Sequence, residues 1–121
     1  MGLLDIVRDV RDVAVVLRAE GDVDSSTADA LMTALDAAVV EAQAHPARVL
    51  IVELDGVTYF GSAGLNALIG CAERGSAHGV AVRLVATNPE VTRPIEVTRL
   101  DSVLPPHRSV ADALSSADGP Q

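Results

Sequence analysis

Apolar positions along the chain switch repeatedly between short, near-continuous runs and a spacing of about 3.6 residues. Val13-Ala14-Val15-Val16-Leu17, Val49-Leu50-Ile51-Val52-Glu53-Leu54 and Val80-Ala81-Val82-Arg83-Leu84-Val85 are short and rich in β-branched residues. That is the pattern of strands buried on both faces. A segment around Leu4 to Val7 supplies an edge strand. Between these strands the period becomes helical. Ser26-Thr27-Ala28-Asp29 has the serine-to-acid spacing of a capping box and opens a helix with Ala28, Leu31, Leu35, Ala38 and Ala42 on one face, ending near His45-Pro46. A second helix begins at Ser62 or Ala63, carries Leu65, Leu68, Ile69 and Ala72 at helical spacing, and stops near Gly75. Asn88-Pro89-Glu90 starts a third, which Pro94 keeps short or bent. Val103-Leu104 adds a short strand, and Ser109 to Leu114 reads as a last helix.

The order β-β-α-β-α-β-α, with helices as crossovers, describes a small α/β layer fold. With 121 residues and 49% apolar content, the chain has enough to build one core. Residues 1–115 are expected to form that single domain. Residues 116–121 have little to bury and are expected to fray.

Charge and composition narrow the partners. A formal net charge of -8 is repelled by phosphate backbones and anionic membrane surfaces. Tyr59 and Phe60 are the only aromatics, so the chain has no row of stacking platforms for single-stranded nucleic acid. No apolar run approaches the ~18 residues of a bilayer span, and no cationic stretch precedes an apolar core at the N-terminus. The lone Cys71, set among Leu68, Ile69 and Ala72, reads as a core thiol in a reducing compartment. The expectation is a cytoplasmic protein that neither binds nucleic acid nor inserts into membranes.

The candidate chemistry centres on Val57-Thr58-Tyr59-Phe60-Gly61-Ser62-Ala63-Gly64-Leu65, where a strand ends and a small turn opens a helix. Ser62 falls at the helix N-terminus, where unpaired N–H groups and the helix dipole favour an anion, so a phosphate on its hydroxyl is electrostatically welcome. Serine is equally a favoured helix cap, and these residues alone leave both roles open. A hydrolase is disfavoured. The nucleophile elbow Gly-x-Ser-x-Gly requires glycine where Phe60 stands, and His45, His78 and His107 sit singly in expected loops with no signature of a catalytic base. One cysteine and scattered histidines suggest no metal site, and a chain without lysine has no phosphate-binding loop of the Gly-x-x-x-x-Gly-Lys type. Neither an enzymatic activity nor a cofactor is expected. Gly21-Asp22-Val23-Asp24-Ser25 reads as a turn that caps the next helix, or as an ion site. This loop and the Ser62 turn both follow parallel-type strands and open at the same end of the sheet, where such folds place their sites. Tyr59 and Phe60 are expected to pack beneath the turn.

These residues, in this order, resemble the STAS domain of bacterial anti-sigma-factor antagonists. The resemblance runs through Gly21-Asp22-Val23-Asp24, the helix after it, the strand Val49 to Leu54, Asp55, and Tyr59-Phe60-Gly61-Ser62-Ala63-Gly64-Leu65. It implies a mixed sheet of four to five strands with crossover helices packed mainly on one face. It further implies a non-catalytic domain that binds an anti-sigma factor with serine-kinase activity and so releases a sigma factor. In such a cycle the partner phosphorylates the serine matching Ser62, which abolishes tight binding, and a separate phosphatase restores it. The partner surface implied comprises Asp22, Asp24, Gly61, Ser62, Ala63, Gly64 and Asn66. Gly61 departs from the family, which typically has aspartate there, and Asp24 is the carboxylate expected to supply negative charge nearby instead. The alternative role for the same fold is a STAS subunit of a lipid-transport ABC system or a stress-signalling scaffold. Dimerisation and the identity of the kinase are left open.

Overall fold

Each crossover helix carries the chain from one strand to the next strand alongside it, so the sheet grows in one direction. The computed structural model describes residues 3–117, with side chains through Ser115. Its five strands are β1 (Leu4–Val10), β2 (Val15–Val23), β3 (Val49–Phe60), β4 (Ala81–Val85) and β5 (Pro106–His107), arranged in the order β1-β2-β3-β4-β5. Only β1 runs antiparallel to its neighbour. The helices are α1 (Ala28–Ala44), α2 (Ser62–Ala77), α3 (Pro89–Val97) and α4 (Val110–Ala117). Crossovers of one hand that always step the same way leave their helices on one face. Accordingly α1, α2 and α3 share the larger core with Val15, Leu17, Leu50, Val52 and Leu84. The smaller core on the opposite face joins Val16, Val49, Ile51 and Val85 to Ala113 of α4. The expected mixed sheet, with helices mainly on one side, is the architecture observed.

Leu31 and Leu35 fix α1 to the sheet. Both are fully buried, and such burial contributes roughly 1.5–3 kcal/mol per side chain.

Several element boundaries differ from the sequence reading. The first strong strand was expected over Val13 to Leu17, but β2 starts at Val15 and continues to Val23, so Asp22 lies in a strand and not in a loop. Gly21 permits this extension. Its φ of +117° suits glycine, and a Cβ there would meet the Leu3 carbonyl oxygen at 2.1 Å. β3 likewise extends six residues past Leu54. Its pairing with β2 slips twice, between Arg18 and Glu20 and again between Gly21 and Asp22. Each slip accommodates one extra β3 residue and shifts the inward phase, so Leu54, Val57 and Phe60 all reach the large core at intervals of three.

The Ser26–Asp29 capping box does not form. Thr27 is the N-cap, without a side-chain cap bond, and Asp24 organises the turn instead. Helix α2 passes Gly75, whose Cβ position would lie 2.5 Å from a Val82 methyl, and Gly79 takes the left-handed residue that follows. Pro94 is accommodated inside a nine-residue α3. Val103-Leu104 is not a strand: a 3-10 turn at Leu100–Ser102 precedes it, Leu104 is buried, and pairing begins at Pro106. His107 therefore sits in a strand, not in a loop. α4 runs to Ala117, two residues into the expected tail, whose remainder lies outside the described residues.

Candidate functional site

The ends of β2 and β3 lie side by side, with Asp22 opposite Tyr59 and Val23 opposite Phe60. The Gly61 N–H donates to the Val23 carbonyl at 3.0 Å, a last bond between the two chains before the backbone turns. The Gly61 carbonyl then accepts from the N–H groups of Gly64 and Leu65 at 3.0 and 3.2 Å, which makes Gly61 the N-cap of α2. Ser62 is consequently the exposed first residue of the helix and not its cap. Asn66, one turn further along, is also exposed, and Ala63 is half-buried. Gly64 is buried: a Cβ there would lie 2.7 Å from both the Phe60 ring and a Val23 methyl. It seats α2 on the strand ends and presents no side-chain surface.

The two acidic residues have separate tasks. The Asp22 carboxylate accepts a hydrogen bond from the Thr58 hydroxyl at 2.7 Å, across the end of the β2–β3 pair. One Asp24 oxygen accepts from the Ser26 hydroxyl at 2.6 Å and from the N–H groups of Ser26 and Thr27 at 2.9 and 3.2 Å. These bonds, the Ser26 hydroxyl first among them, hold its carboxyl below the usual aspartate range. Asp24 thus organises the turn that opens α1 through these bonds.

The two segments expected to open at one end of the sheet do meet there, and the structure adds residues that the sequence did not single out. Thr27, a buried hydroxyl, donates to the Asp22 carbonyl at 2.7 Å and accepts from the Asp24 N–H at 3.0 Å. Asn88 turns its amide into the bulged part of β3, where it donates to the carbonyls of Leu54 and Val57 at 3.1 and 2.7 Å. Beside it, Asp55 accepts from the N–H of Thr87 at 2.7 Å. Tyr59 corrects an expectation. Phe60 is buried beneath the turn, whereas Tyr59 points the other way and is 55% exposed.

The histidines lie apart from Ser62. His45 and His78 close the C-terminal ends of α1 and α2, and His107 sits in β5 near Asp112. Among the described residues, no group of three or more His, Cys, Asp or Glu is arranged to hold a metal ion. No helix there is long and apolar enough to cross a membrane. This end presents a hydroxyl on a helix N-terminus, a carboxylate braced by Thr58 and an exposed aromatic ring.

Known proteins share this arrangement. A model of the STAS domain matches residues 5–113. The anti-sigma-F factor antagonist RsfA of Mycobacterium tuberculosis is 33% identical over 108 residues, which is 87% of this chain and 80% of that protein. The crystal structure of an anti-sigma factor antagonist from Mycobacterium paratuberculosis superposes with a TM-score of 0.86 at 28% identity, covering 97% of this chain and 96% of the other. SpoIIAA, a Bacillus cell fate determinant solved in its phosphorylated form, gives a TM-score of 0.68 over 93% of this chain and 98% of its own; at 14% identity it shares the fold. By a family match spanning nearly its whole length, and by a relative one-third identical to it, this chain belongs to the STAS domain family.

Proposed function

We propose that this domain is an anti-sigma-factor antagonist. In this reading it binds an anti-sigma factor with serine-kinase activity through the β2–β3 end and the start of α2, and phosphorylation of Ser62 switches the binding off. The observation that carries the reading is the position of Ser62, exposed as the first residue of a 16-residue helix whose cap, Gly61, has no side chain. A kinase can reach that hydroxyl without disturbing packing. The phosphate then lies against unpaired N–H groups and the positive end of the helix dipole, so the fold accepts it. The Bacillus neighbour solved in its phosphorylated form is a protein of this fold that carries such a group. Binding responds differently. A phosphate adds roughly -1.5 to -2 charge to a surface that met its partner through a neutral hydroxyl, beside Asp22 on a chain already at -8. Repulsion and loss of fit release the anti-sigma factor, and a phosphatase resets the cycle.

Three baits test this in native extract: wild type, Ser62→Ala and Ser62→Glu. The expected result is an anti-sigma kinase on the first two and none on the third. Incubating that kinase with ATP and the wild-type domain is expected to place phosphate on Ser62 by mass spectrometry. Equal capture by all three baits, or phosphate only at another residue, sinks the switch. Capture of a transporter ATPase in place of the kinase replaces the antagonist reading with the transport one.

A further inference from the structure

Tyr59 stands apart at this end of the molecule. It is one of two aromatic side chains in the protein, and unlike Phe60 it is more than half exposed. Its ring lies beside the start of α2. The phenolic end rests against Gly61: a Cβ built there would lie 3.2 Å from Cε2, 3.2 Å from the hydroxyl oxygen and 3.5 Å from Cζ. The residues it neighbours along the turn, Gly61, Ser62 and Ala63, are all small, so the ring projects from a low surround. Asp22 is its register partner on β2, with the carboxylate held by the Thr58 hydroxyl. A large amphipathic ring, exposed beside Gly61 and followed in the chain by small residues, has the properties of an interface anchor: much area to bury and only two side-chain torsions to fix.

We infer that the Tyr59 ring is the anchor by which the anti-sigma factor grips this domain, and that Gly61 is the seat that sets the ring's position. The inference rests on the antagonist reading above and adds to it the residue that determines affinity. A Cβ at position 61 would stand 3.2 Å from the ring, so any side chain there, aspartate included, makes the ring give by a few tenths of an ångström. The partner of this chain therefore carries a pocket for an aromatic ring where it meets the start of α2.

The test titrates the anti-sigma factor captured on the wild-type bait, once purified, against a set of variants by calorimetry. Tyr59→Ala is expected to weaken binding roughly tenfold or more, whereas Tyr59→Phe keeps it within about threefold. Neither change reaches the core, so both are expected to melt with the wild type. Gly61→Ala is expected to weaken binding several-fold in the presence of Tyr59 and to add nothing in the Tyr59→Ala background, because its effect passes through the ring. That non-additivity separates displacement of the ring from a general loosening of the α2 cap. If Tyr59→Ala binds as wild type while Ser62→Glu does not, the anchor is wrong and the antagonist reading stands. Tyr59→Phe binding as weakly as Tyr59→Ala overturns the assignment to the ring, and an additive Gly61→Ala effect overturns the seat. If the wild type captures no anti-sigma factor, both readings fall.

Discussion

Asp24 shows how one carboxylate can be legible by position while the bonds it makes are not. Sequence placed it in the right segment, but an acidic residue in a Gly-Asp-Val-Asp turn looks the same whether it faces a partner or its own backbone. Here it gathers two N–H groups and a hydroxyl at the start of α1. Asp24→Ala is therefore expected to lower the melting temperature, and the effect depends on pH with a definite sign. The folded-state pKa lies below the ordinary 3.8, so the ionised form stabilises the fold at full strength above that value and loses this contribution as the pH falls through the folded value. The melting gap between wild type and Asp24→Ala should be constant near neutrality and narrow in acid; a gap that persists unchanged to about pH 3 would contradict the ionised cap. Asn88 was legible only as a helix start, because nothing in Asn-Pro-Glu indicates that its amide turns back to β3. Asn88→Ala is expected to cost about 1–3 kcal/mol in denaturant melts, since the Leu54 and Val57 carbonyls lose the two hydrogen bonds that the amide donates at the bulge. Tyr59 was misplaced for a related reason. Val57, Tyr59 and Phe60 are all apolar or aromatic, and only the bulge decides which of them face inward.

At the scale of elements, α1, α2, the core of β3 and β4 were readable because one period persists in each for several residues. The second half of β3 was not. Asp55 and Gly56 look like a strand end, and the alternation fails there because two bulges shift it by one residue each time. Those bulges carry β3 as far as Phe60 and deliver its end to the start of α2. The approach of that helix is set by Gly64. Replacing a helical glycine by alanine normally gains up to about 1 kcal/mol, but a methyl 2.7 Å from the Phe60 ring and a Val23 methyl overpacks the contact at a cost of roughly 1–3 kcal/mol. Gly64→Ala is expected to lower stability and to shift the amide resonances of Val23 and Phe60 along with those of α2. An increase in stability would mean that the helix can back away freely.

Taken whole, the molecule has a thick side, where three helices cover the sheet, and a thin side covered by α4 over β3 and β4. Cys71 lies in the thick side, fully buried, and burial pushes its thiol up to about 11. A thiol reagent at neutral pH should leave it untouched in the native protein and modify it only on opening, at a rate that follows global stability across a denaturant series. Rapid labelling without denaturant would show that the α2 side of the core opens locally. The net charge of -8 belongs to this scale too: it favours encounter with a basic surface without naming one, so the class of partner was legible only through the family resemblance. The described ends of the chain lie at opposite poles. Leu3 gives its carbonyl to the Asp22 N–H at 3.0 Å, at the end of the sheet that carries Ser62. Ala111 and Leu114 of α4 instead share a hollow with Val13 and Val49, where the parallel strands begin. If the partner docks as proposed, a label, bead or surface attached on the Leu3 side is expected to hinder it more than one attached on the α4 side. On the proposed function, tethering by the α4 side is therefore the orientation in which a capture experiment leaves the Ser62 end open.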